Sequence, residues 1–339
     1  MEDLSRSLVR ALIDAAPGHN AGTRPVHAFG VGATGWFRGS GSAPHYCRAA
    51  HFRRSWTPAT IRFSDGNGFE APDLTPQVRG MAVKFDPGTP RETDLISMSI
   101  PIFVAKTPGD TLRYAPATKP QTVVRPKWHQ RLWALAQLCP LPPDVPGTKE
   151  SPAQGLLKMS DEYRPAQAGV FAMGLMRPPI SFVRQAYYAV HAFNVEGDDR
   201  THRFVRFTWE PLGGSRGVDE RPESLARLGD SYLRTELAGH LEKGPAQFGL
   251  RMQISDPFDD TSDPTVAWPT SRTRVYMGTL LIDKVVADQD AQCDRLSFNP
   301  GRLIEGIALS DDPILHSRVA AYEESCKLRH GSGCPMVGP

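Results

Sequence analysis

The sequence contains few cysteines, five in 339 residues, and none of them forms a Cys-x-x-Cys pair. They are Cys47, Cys139, Cys293, Cys326 and Cys334. An odd, dispersed set is typical of reduced thiols, and it has the spacing of neither a disulfide framework nor a zinc site. The cysteine content therefore predicts free thiols and a cytoplasmic location.

The chain also lacks an excess of charge of either sign and any long apolar run. Lys and Arg number 39 and Asp and Glu 37, so the formal net charge is +2. No basic stripe alternates with aromatic residues, which argues against a nucleic-acid partner. No stretch approaches about 18 apolar residues, so the sequence predicts no membrane span. Charges at Glu2, Asp3 and Arg6 interrupt the first residues, which therefore do not resemble a signal peptide.

The order of the predicted elements indicates an α+β fold. Apolar residues at helical spacing between 4 and 13, followed by Pro17-Gly18, predict a short amphipathic helix that packs on the protein. Short strands punctuated by Pro and Gly are predicted over 26–105 and again over 181–285. Helices are predicted at 126–139, 223–242 and 312–329, and a Pro-rich linker at 140–147. Because helices and strands do not alternate regularly, we expect an antiparallel barrel or sheet with the helices gathered outside it.

The last predicted helix carries a tyrosine between two arginines. Arg318, Tyr322 and Arg329 lie within about 40° of one another on one helical face. Nearby positive charge stabilises a phenolate, and tyrosinate is one of the known proximal ligands of haem iron. Arg329 lies about two turns further on, where it could reach a propionate. The alternative is an ordinary surface helix whose arginines pair with Glu323 and Glu324.

Two stretches in the first quarter of the chain place a histidine and a serine near arginines. Residues 23–37 (TRPVHAFGVGATGWF) carry Arg24 and His27 before a glycine-rich run. Residues 61–64 (IRFS) form a predicted strand on which Arg62 and Ser64 share one face. A serine hydroxyl can fix the tautomer of a histidine, and an arginine can hold a carboxylate. Each stretch alone is equally consistent with an ordinary strand and an incidental histidine.

Seven blocks in the same order resemble the haem catalases. The first two are similar to the family's VVHA-G-GA-G-F and VRFS patterns. The others are at 78–85 (VRGMAVKF), 94–103 (DLISMSIPIF), 191–193 with 206–211 (RFTWEP), 256–259 with 266–269 (DPFD, VAWP) and 317–329 (SRVAAYEESCKLR). The resemblance extends from about residue 20 to 330. It implies a catalase-like antiparallel β-barrel with surrounding helices and a haem buried between the barrel and a C-terminal proximal helix.

The resemblance implies a domain layout and a role for each matching residue. Residues 1–22 would be a helical arm and 23–339 a single haem domain, with the barrel at about 23–285 and a wrapping segment and proximal helix at about 286–330. His27 matches the distal acid–base histidine, Ser64 the serine that orients it, and Tyr322 the iron ligand kept ionised by Arg318. The remaining matches are Arg24, Arg62 and Arg329 for the haem propionates and Val26 for the valine beside the distal histidine.

Two positions depart from the family pattern. Met98 stands where the family has a distal asparagine, and an apolar thioether there should weaken oxidation of a second hydrogen peroxide. Ser99 would take that position if the strand were shifted by one residue. The family's haem-stacking phenylalanine falls near Thr111, where Leu112 is the nearest apolar residue. The short chain resembles the small catalase-related peroxidases.

These features favour a haem b peroxidase, with weak catalase activity, that reduces hydrogen peroxide or organic hydroperoxides with a small organic electron donor. No NADPH is expected, and we expect a monomer or homodimer, with a tetramer as the alternative. A catalase-related allene oxide synthase or hydroperoxide isomerase is the alternative function, although such enzymes have Thr where this chain has Val26. A non-catalytic haem sensor is disfavoured because both His27 and Ser64 are present.

Overall fold

A computed structural model describes residues 2–20, 22–75, 77–118, 155–219, 221–331 and 334. The predicted helix at 126–139 and the linker at 140–147 lie outside these residues. The strands are β1 (Gly30–Gly39), β2 (Thr57–Asp65), β3 (Arg79–Phe85), β4 (Thr93–Met98), β5 (Tyr187–Tyr188), β6 (Phe193–Glu196), β7 (His202–Pro211), β8 (Ala246–Ile254), β9 (Arg274–Val285) and β10 (Ile307–Leu309). Within the same residues the α-helices are α1 (Glu2–Ala15), α2 (Ala43–Tyr46), α3 (Ala50–Arg53), α4 (Thr111–Ala117), α5 (Gly155–Glu162), α6 (Gln167–Leu175), α7 (Pro222–Leu225), α8 (Tyr232–Lys243) and α9 (Pro313–His330).

Eight antiparallel strands close into a barrel. The ladder runs β1-β2-β3-β4-β5-β7-β8-β9 and returns from β9 to β1, while β6 and β10 extend it beside β7. This confirms the predicted α+β barrel with helices around it. Successive side chains along each strand point alternately into and out of the barrel. On β2, for example, Ile61 and Phe63 pack in the barrel core, whereas Arg62 and Ser64 face outward. Aromatic rings fill the interior, where Phe37 contacts Phe85 and Trp209 edge to face.

The long C-terminal helix α9 follows the prediction closely and packs outside the barrel. Asp312 caps it, because its Oδ1 accepts hydrogen bonds from the backbone N–H groups of Ile314 (2.8 Å) and Leu315 (3.3 Å). The N-terminal helix α1 lies against α9. The Ser5 hydroxyl donates to the carbonyl of Ser317 at 3.2 Å, and the predicted packing of this helix is confirmed.

Several predicted strands and helices differ in extent from those in the structure. The hairpin predicted around 196–200 is present as β6 and β7. The strand predicted over 181–194 is mostly irregular, because the Ser181 hydroxyl caps a 3₁₀ turn and only β5 and the start of β6 pair. The run at 100–104 is not a strand, and Pro101 within it has no N–H to donate. The helix predicted at 223–242 is divided into α7 and α8 by a turn around Gly229.

The expectation of five reduced thiols is wrong for one pair. Cys326 on α9 and Cys334 form a disulfide, with their Cα atoms 5.6 Å apart. Gly331, with φ at +57°, turns the chain back after α9 and brings Cys334 onto the last turns of that helix. Cys47 and Cys293 are free and buried, and Cys139 lies outside the described residues. Because disulfides are rare in cytosolic proteins, the cysteines no longer indicate a cytoplasmic location.

The helices in the described ranges include none that is both long and apolar enough to cross a membrane.

Replacing Cys334→Ser should lower the free energy of unfolding, because the short closed loop no longer restricts the unfolded chain. The chain-entropy account gives a loss of about 2–3 kcal/mol. Denaturant unfolding of the variant and the parent measures the loss. As a control, dithiothreitol should destabilise the parent and leave the variant unchanged. Equal stability of all four samples would contradict the disulfide.

Candidate functional site

One pocket lies between the outward face of β2, β3 and β4 and the helix α9. Helices α1, α4 and α6 supply further walls, including Leu8, Leu12, Tyr114 and Met173. All nine residues singled out from the sequence line this pocket: Arg24, Val26, His27, Arg62, Ser64, Met98, Arg318, Tyr322 and Arg329. The fold thus brings together residues separated by as much as 305 positions in the sequence.

The barrel wall of the pocket is built by strand register. Ser64 on β2 pairs with Gly80 on β3, and Gly80 pairs with Met98 on β4, so the three form one row across the sheet. The His27 ring lies over Gly80, with Nδ1 at 3.0 Å from the Ser64 hydroxyl. A Cβ at position 80 would lie 2.7 Å from Ser64 Oγ and 2.8 Å from His27 Nδ1. Glycine is therefore required there to leave space for the imidazole.

His27 is half-buried in the pocket, and its backbone is constrained. Its φ of +54° is in the left-handed region, which is uncommon outside glycine and is often found at functional sites. The conformation is held by the bond from its N–H to Gly66 O (3.3 Å) and by Arg62 Nη1, which donates to its carbonyl at 2.9 Å. Burial, followed by the charges of Arg62 and Arg318, lowers the pKa of His27 to about 3. The ring is therefore neutral near pH 7 and can accept a proton.

Two side chains of the helix wall, Arg318 and Tyr322, belong to a hydrogen-bonded series of four that extends behind the pocket to His191 and Asp312. Arg318 Nη2 donates to the Tyr322 hydroxyl at 3.1 Å, and its Nη1 lies 2.8 Å from His191 Nε2. His191 Nδ1 is 2.6 Å from Asp312 Oδ2. Since arginine can only donate, Nε2 of His191 accepts, and its Nδ1 carries the proton that is donated to Asp312.

These hydrogen bonds hold the Arg318 guanidinium against the Tyr322 phenol. Burial lowers the pKa of His191 to about 4, so the imidazole stays neutral and adds no charge that would repel the arginine. The guanidinium also lies over the rings of Phe103 and Tyr322, each 5.6 Å from the ring centroid. The guanidinium donor is therefore fixed at the phenol oxygen of Tyr322.

Three arginines converge on Asp294 at the edge of the pocket, two on its carboxylate and one on its backbone carbonyl. Arg24 and Arg62 approach Asp294 Oδ1 at 3.6 and 3.3 Å, and Arg329 Nη1 donates to the Asp294 carbonyl at 3.1 Å. Burial and mutual repulsion lower the pKa of Arg24 and bring that of Arg329 to about 10. Arg62 Nε is buried and has no hydrogen-bond partner within the described part of the chain.

This donor set fits a haem. Three guanidinium groups against one carboxylate leave a surplus of positive charge, which two propionates would neutralise. The walls between the arginines and the phenol are largely apolar, as a flat macrocycle requires, and they include Val78, Ala82, Ile96 and Ile100. Within the described residues no group of three or more His, Cys, Asp or Glu side chains could hold a metal ion. The Tyr322 phenol, which lines the pocket, offers an oxygen ligand.

Of the positions that depart from the family pattern, Met98 and Thr111 lie in the pocket. Met98 lines the pocket, whereas the Ser99 hydroxyl accepts from Arg79 N at 2.9 Å and donates to Met176 Sδ. The unshifted register places Met98, not Ser99, in the row with Ser64 and Gly80. Thr111 lines the pocket, and half-buried Leu112 is not among the lining residues.

Sequence reasoning gave no role to Gly80, His191, Asp294 or Asp312. His191 and Gly80 lay within matched blocks, and Asp312 was the first residue of the predicted last helix. A signal for Asp312 existed, because aspartate before proline is a typical N-cap. Asp294 had no local signal, since its importance arises only where three distant arginines meet.

Replacing Gly80→Ala should displace the His27 ring, because the new methyl group would lie within 3 Å of both His27 Nδ1 and Ser64 Oγ. We expect the distance between these two atoms to increase beyond about 3.5 Å, the limit of a hydrogen bond. A crystal structure of the variant measures it. Gly239→Ala is the matched control, because nothing lies within 4 Å of its added Cβ. An unchanged His27–Ser64 distance in Gly80→Ala would contradict the role given to Gly80.

Comparison with known proteins agrees with this geometry. The catalase family model matches residues 19–335. A catalase-related peroxidase of Mycolicibacterium paratuberculosis is 31% identical over 93% of this chain and 91% of its own length. A second, from Synechococcus elongatus, is 24% identical over 95% of this chain and 87% of its own. A fungal catalase structure superimposes with a TM-score of 0.73 at 20% identity, covering 93% of this chain and 60% of the fungal one.

The family model covers most of the chain, and this chain covers 91% and 87% of the two catalase-related peroxidases. The chain therefore belongs to the catalase family, a family of oxidoreductases that act on peroxide.

Proposed function

We propose that the protein is a haem b peroxidase that reduces hydrogen peroxide or organic hydroperoxides with an organic electron donor and retains weak catalase activity. The observation that carries the proposal is that one pocket holds a phenol fixed by Arg318 on one wall and a neutral His27–Ser64 pair on another. Two relatives called catalase-related peroxidases support the same assignment.

The residues that would hold the haem follow from the contacts. Tyr322 would ligate the iron as phenolate, because Arg318 donates to its oxygen and is itself held by His191 and Asp312. Arg24, Arg62 and Arg329 would bind the propionates. Val26 contributes to the wall beside His27. When bound, the haem supplies the electrons for cleavage of the peroxide O–O bond.

The role of His27 is to move one proton. Its neutral ring can accept the proton of a peroxide as that molecule enters the pocket and return it to the departing oxygen. The Ser64 hydroxyl keeps Nδ1 engaged at 3.0 Å, so the ring presents its other nitrogen.

The pocket is more apolar near Met98 than a site for hydrogen peroxide alone requires. Met98 packs in a buried cluster with Ile100, Val104, Val170 and Met159 that extends from β4 to α5 and α6. An alkyl group would gain from contact with these side chains, at roughly 25 cal/mol per Å² of apolar surface removed from water. This supports organic hydroperoxides as substrates beside hydrogen peroxide.

The alternative is an allene oxide synthase or isomerase acting on lipid hydroperoxides, which the apolar wall at Met98 also suits. Assays with hydrogen peroxide, tert-butyl hydroperoxide and a fatty acid hydroperoxide separate the two. Consumption of hydroperoxide that depends on an added donor supports the peroxidase, whereas rearrangement without a donor supports the isomerase.

The proposal also covers the domain layout, the location and the oligomeric state of the enzyme. Residues 1–22 serve as an arm on a single haem domain of residues 23–339, and the enzyme works as a cytoplasmic monomer or homodimer without NADPH, with the tetramer as the alternative. The contact of α1 with α9 within one chain supports the arm assignment.

Tyr322→Phe should abolish or rearrange iron coordination, because phenylalanine has no oxygen to offer the metal. We expect loss of haem or a changed absorption spectrum in the purified protein. Tyr46→Phe, a tyrosine in α2, is the control and should keep the parent spectrum. Full haem occupancy with an unchanged spectrum in Tyr322→Phe would refute the assignment of the ligand.

Met98→Asn should raise oxygen evolution from hydrogen peroxide relative to donor oxidation. An amide supplies the donor and acceptor that a second hydrogen peroxide needs, and the thioether supplies no donor. Both rates are measured on the parent, on Met98→Asn and on Met98→Leu, which keeps the position apolar. The idea fails if the parent already evolves oxygen as a full catalase, or if Asn and Leu give the same ratio.

A further inference from the structure

We propose that Met98 is a self-modification site, at which a peroxide bound beside His27 transfers one oxygen atom to the thioether and converts it to methionine sulfoxide. This inference rests on the proposed function only in that the same pocket admits peroxide. It assigns Met98 as an oxygen acceptor in addition to its place in the apolar wall.

The strand register makes His27 the lateral neighbour of Met98. Side chains directly opposite on adjacent strands have Cβ atoms about 4.5–5.5 Å apart. Gly80, opposite Met98, has no side chain, and the His27 ring occupies the space over it, with Nδ1 2.8 Å from where a Cβ would stand. The histidine that would handle a peroxide and the thioether are thus separated by one strand spacing.

Within the described ranges the other methionines lack this combination. Met252 and Met277 are fully buried in the barrel core. Met81, next to Gly80, borders the pocket but has no exposed surface. Met176 Sδ already accepts a hydrogen bond from the Ser99 hydroxyl at 3.8 Å. Met173 lines the pocket from α6, outside the row of Ser64 and Gly80. Met173 therefore serves as the control within the same protein, because its thioether lines the pocket from a helix and not from the strand beside Gly80.

The reaction balances without any further reagent. A sulfur lone pair attacks one peroxide oxygen, the S–O bond forms and the O–O bond breaks. Neutral His27 takes the proton from the oxygen that joins sulfur and returns it to the oxygen that leaves, which departs as water. Sulfur is oxidised by two electrons, and the peroxide is reduced by two.

The product would change the chemistry of the pocket. A sulfoxide oxygen is a polar acceptor, where the thioether is a weak one, and hydrogen peroxide can donate to it. Alkyl hydroperoxides would lose an apolar contact. The modified enzyme should therefore favour hydrogen peroxide over tert-butyl hydroperoxide more strongly than the fresh enzyme does.

Peptide mass spectrometry of the holoenzyme tests this inference. Hydrogen peroxide is added in steps from one equivalent upward, without an electron donor. We expect one added oxygen on the Met98 peptide before the Met173 or Met176 peptides change. His27→Ala should slow modification of Met98 at least tenfold and leave the other methionines at the parent rate. His27→Gln is the second variant if the alanine substitution impairs folding.

The outcomes separate this inference from the proposed function, because donor oxidation is measured on the same samples. Donor oxidation with Met98 unmodified, or modified no faster than Met176, would overturn the inference and leave the peroxidase intact. Modification of Met98 that does not depend on His27 would also overturn it. Early, His27-dependent modification in a protein that oxidises no donor would support the inference against the proposed function.

Discussion

The chain of contacts from Asp312 through His191 and Arg318 to Tyr322 holds the pocket together. Asp312 uses one carboxylate oxygen to cap α9 and the other to bind His191, so the start of the helix is tied to the segment that leads into β6. Arg318, one and a half turns further along α9, is then fixed between His191 and the phenol. The same series of hydrogen bonds therefore ties the start of α9 to the barrel and positions Arg318 at the phenol.

A network of buried charged residues around Asp94 also fixes part of the pocket wall. Lys84 and Arg302 both bind the fully buried Asp94, and Asp94 Oδ2 also accepts from the backbone N–H of Asn299. This network fastens the loop that carries Phe298, a lining residue, to β3 and β4. Removing one partner from such a network leaves an uncompensated buried charge, a loss of about 3–5 kcal/mol. The wall of the pocket therefore depends on pairs that are fully satisfied inside the protein.

The predicted elements agree with the structure where the signal is local or repeated, and the residues singled out from the sequence line one pocket. The helix α9 and its Arg318, Tyr322 and Arg329 face were readable from spacing, since helical geometry fixes which residues share a side. The strand bearing Arg62 and Ser64 was readable for the same reason. The division into α7 and α8 and the irregular path after Ser181 were missed, because turns there are stabilised by contacts with distant segments, such as that between Asp73 N and Asp230 O.

By itself the sequence determined the residue types of the site, their order and their membership of the catalase family. It also determined that Met98 replaces a polar group. Only the tertiary structure decided that Gly80 makes room for His27, that Asp294 faces three arginines and that Cys334 pairs with Cys326. Those facts depend on distances between residues far apart in the chain or across a turn, and such distances are set by barrel closure and helix packing, which no local pattern encodes.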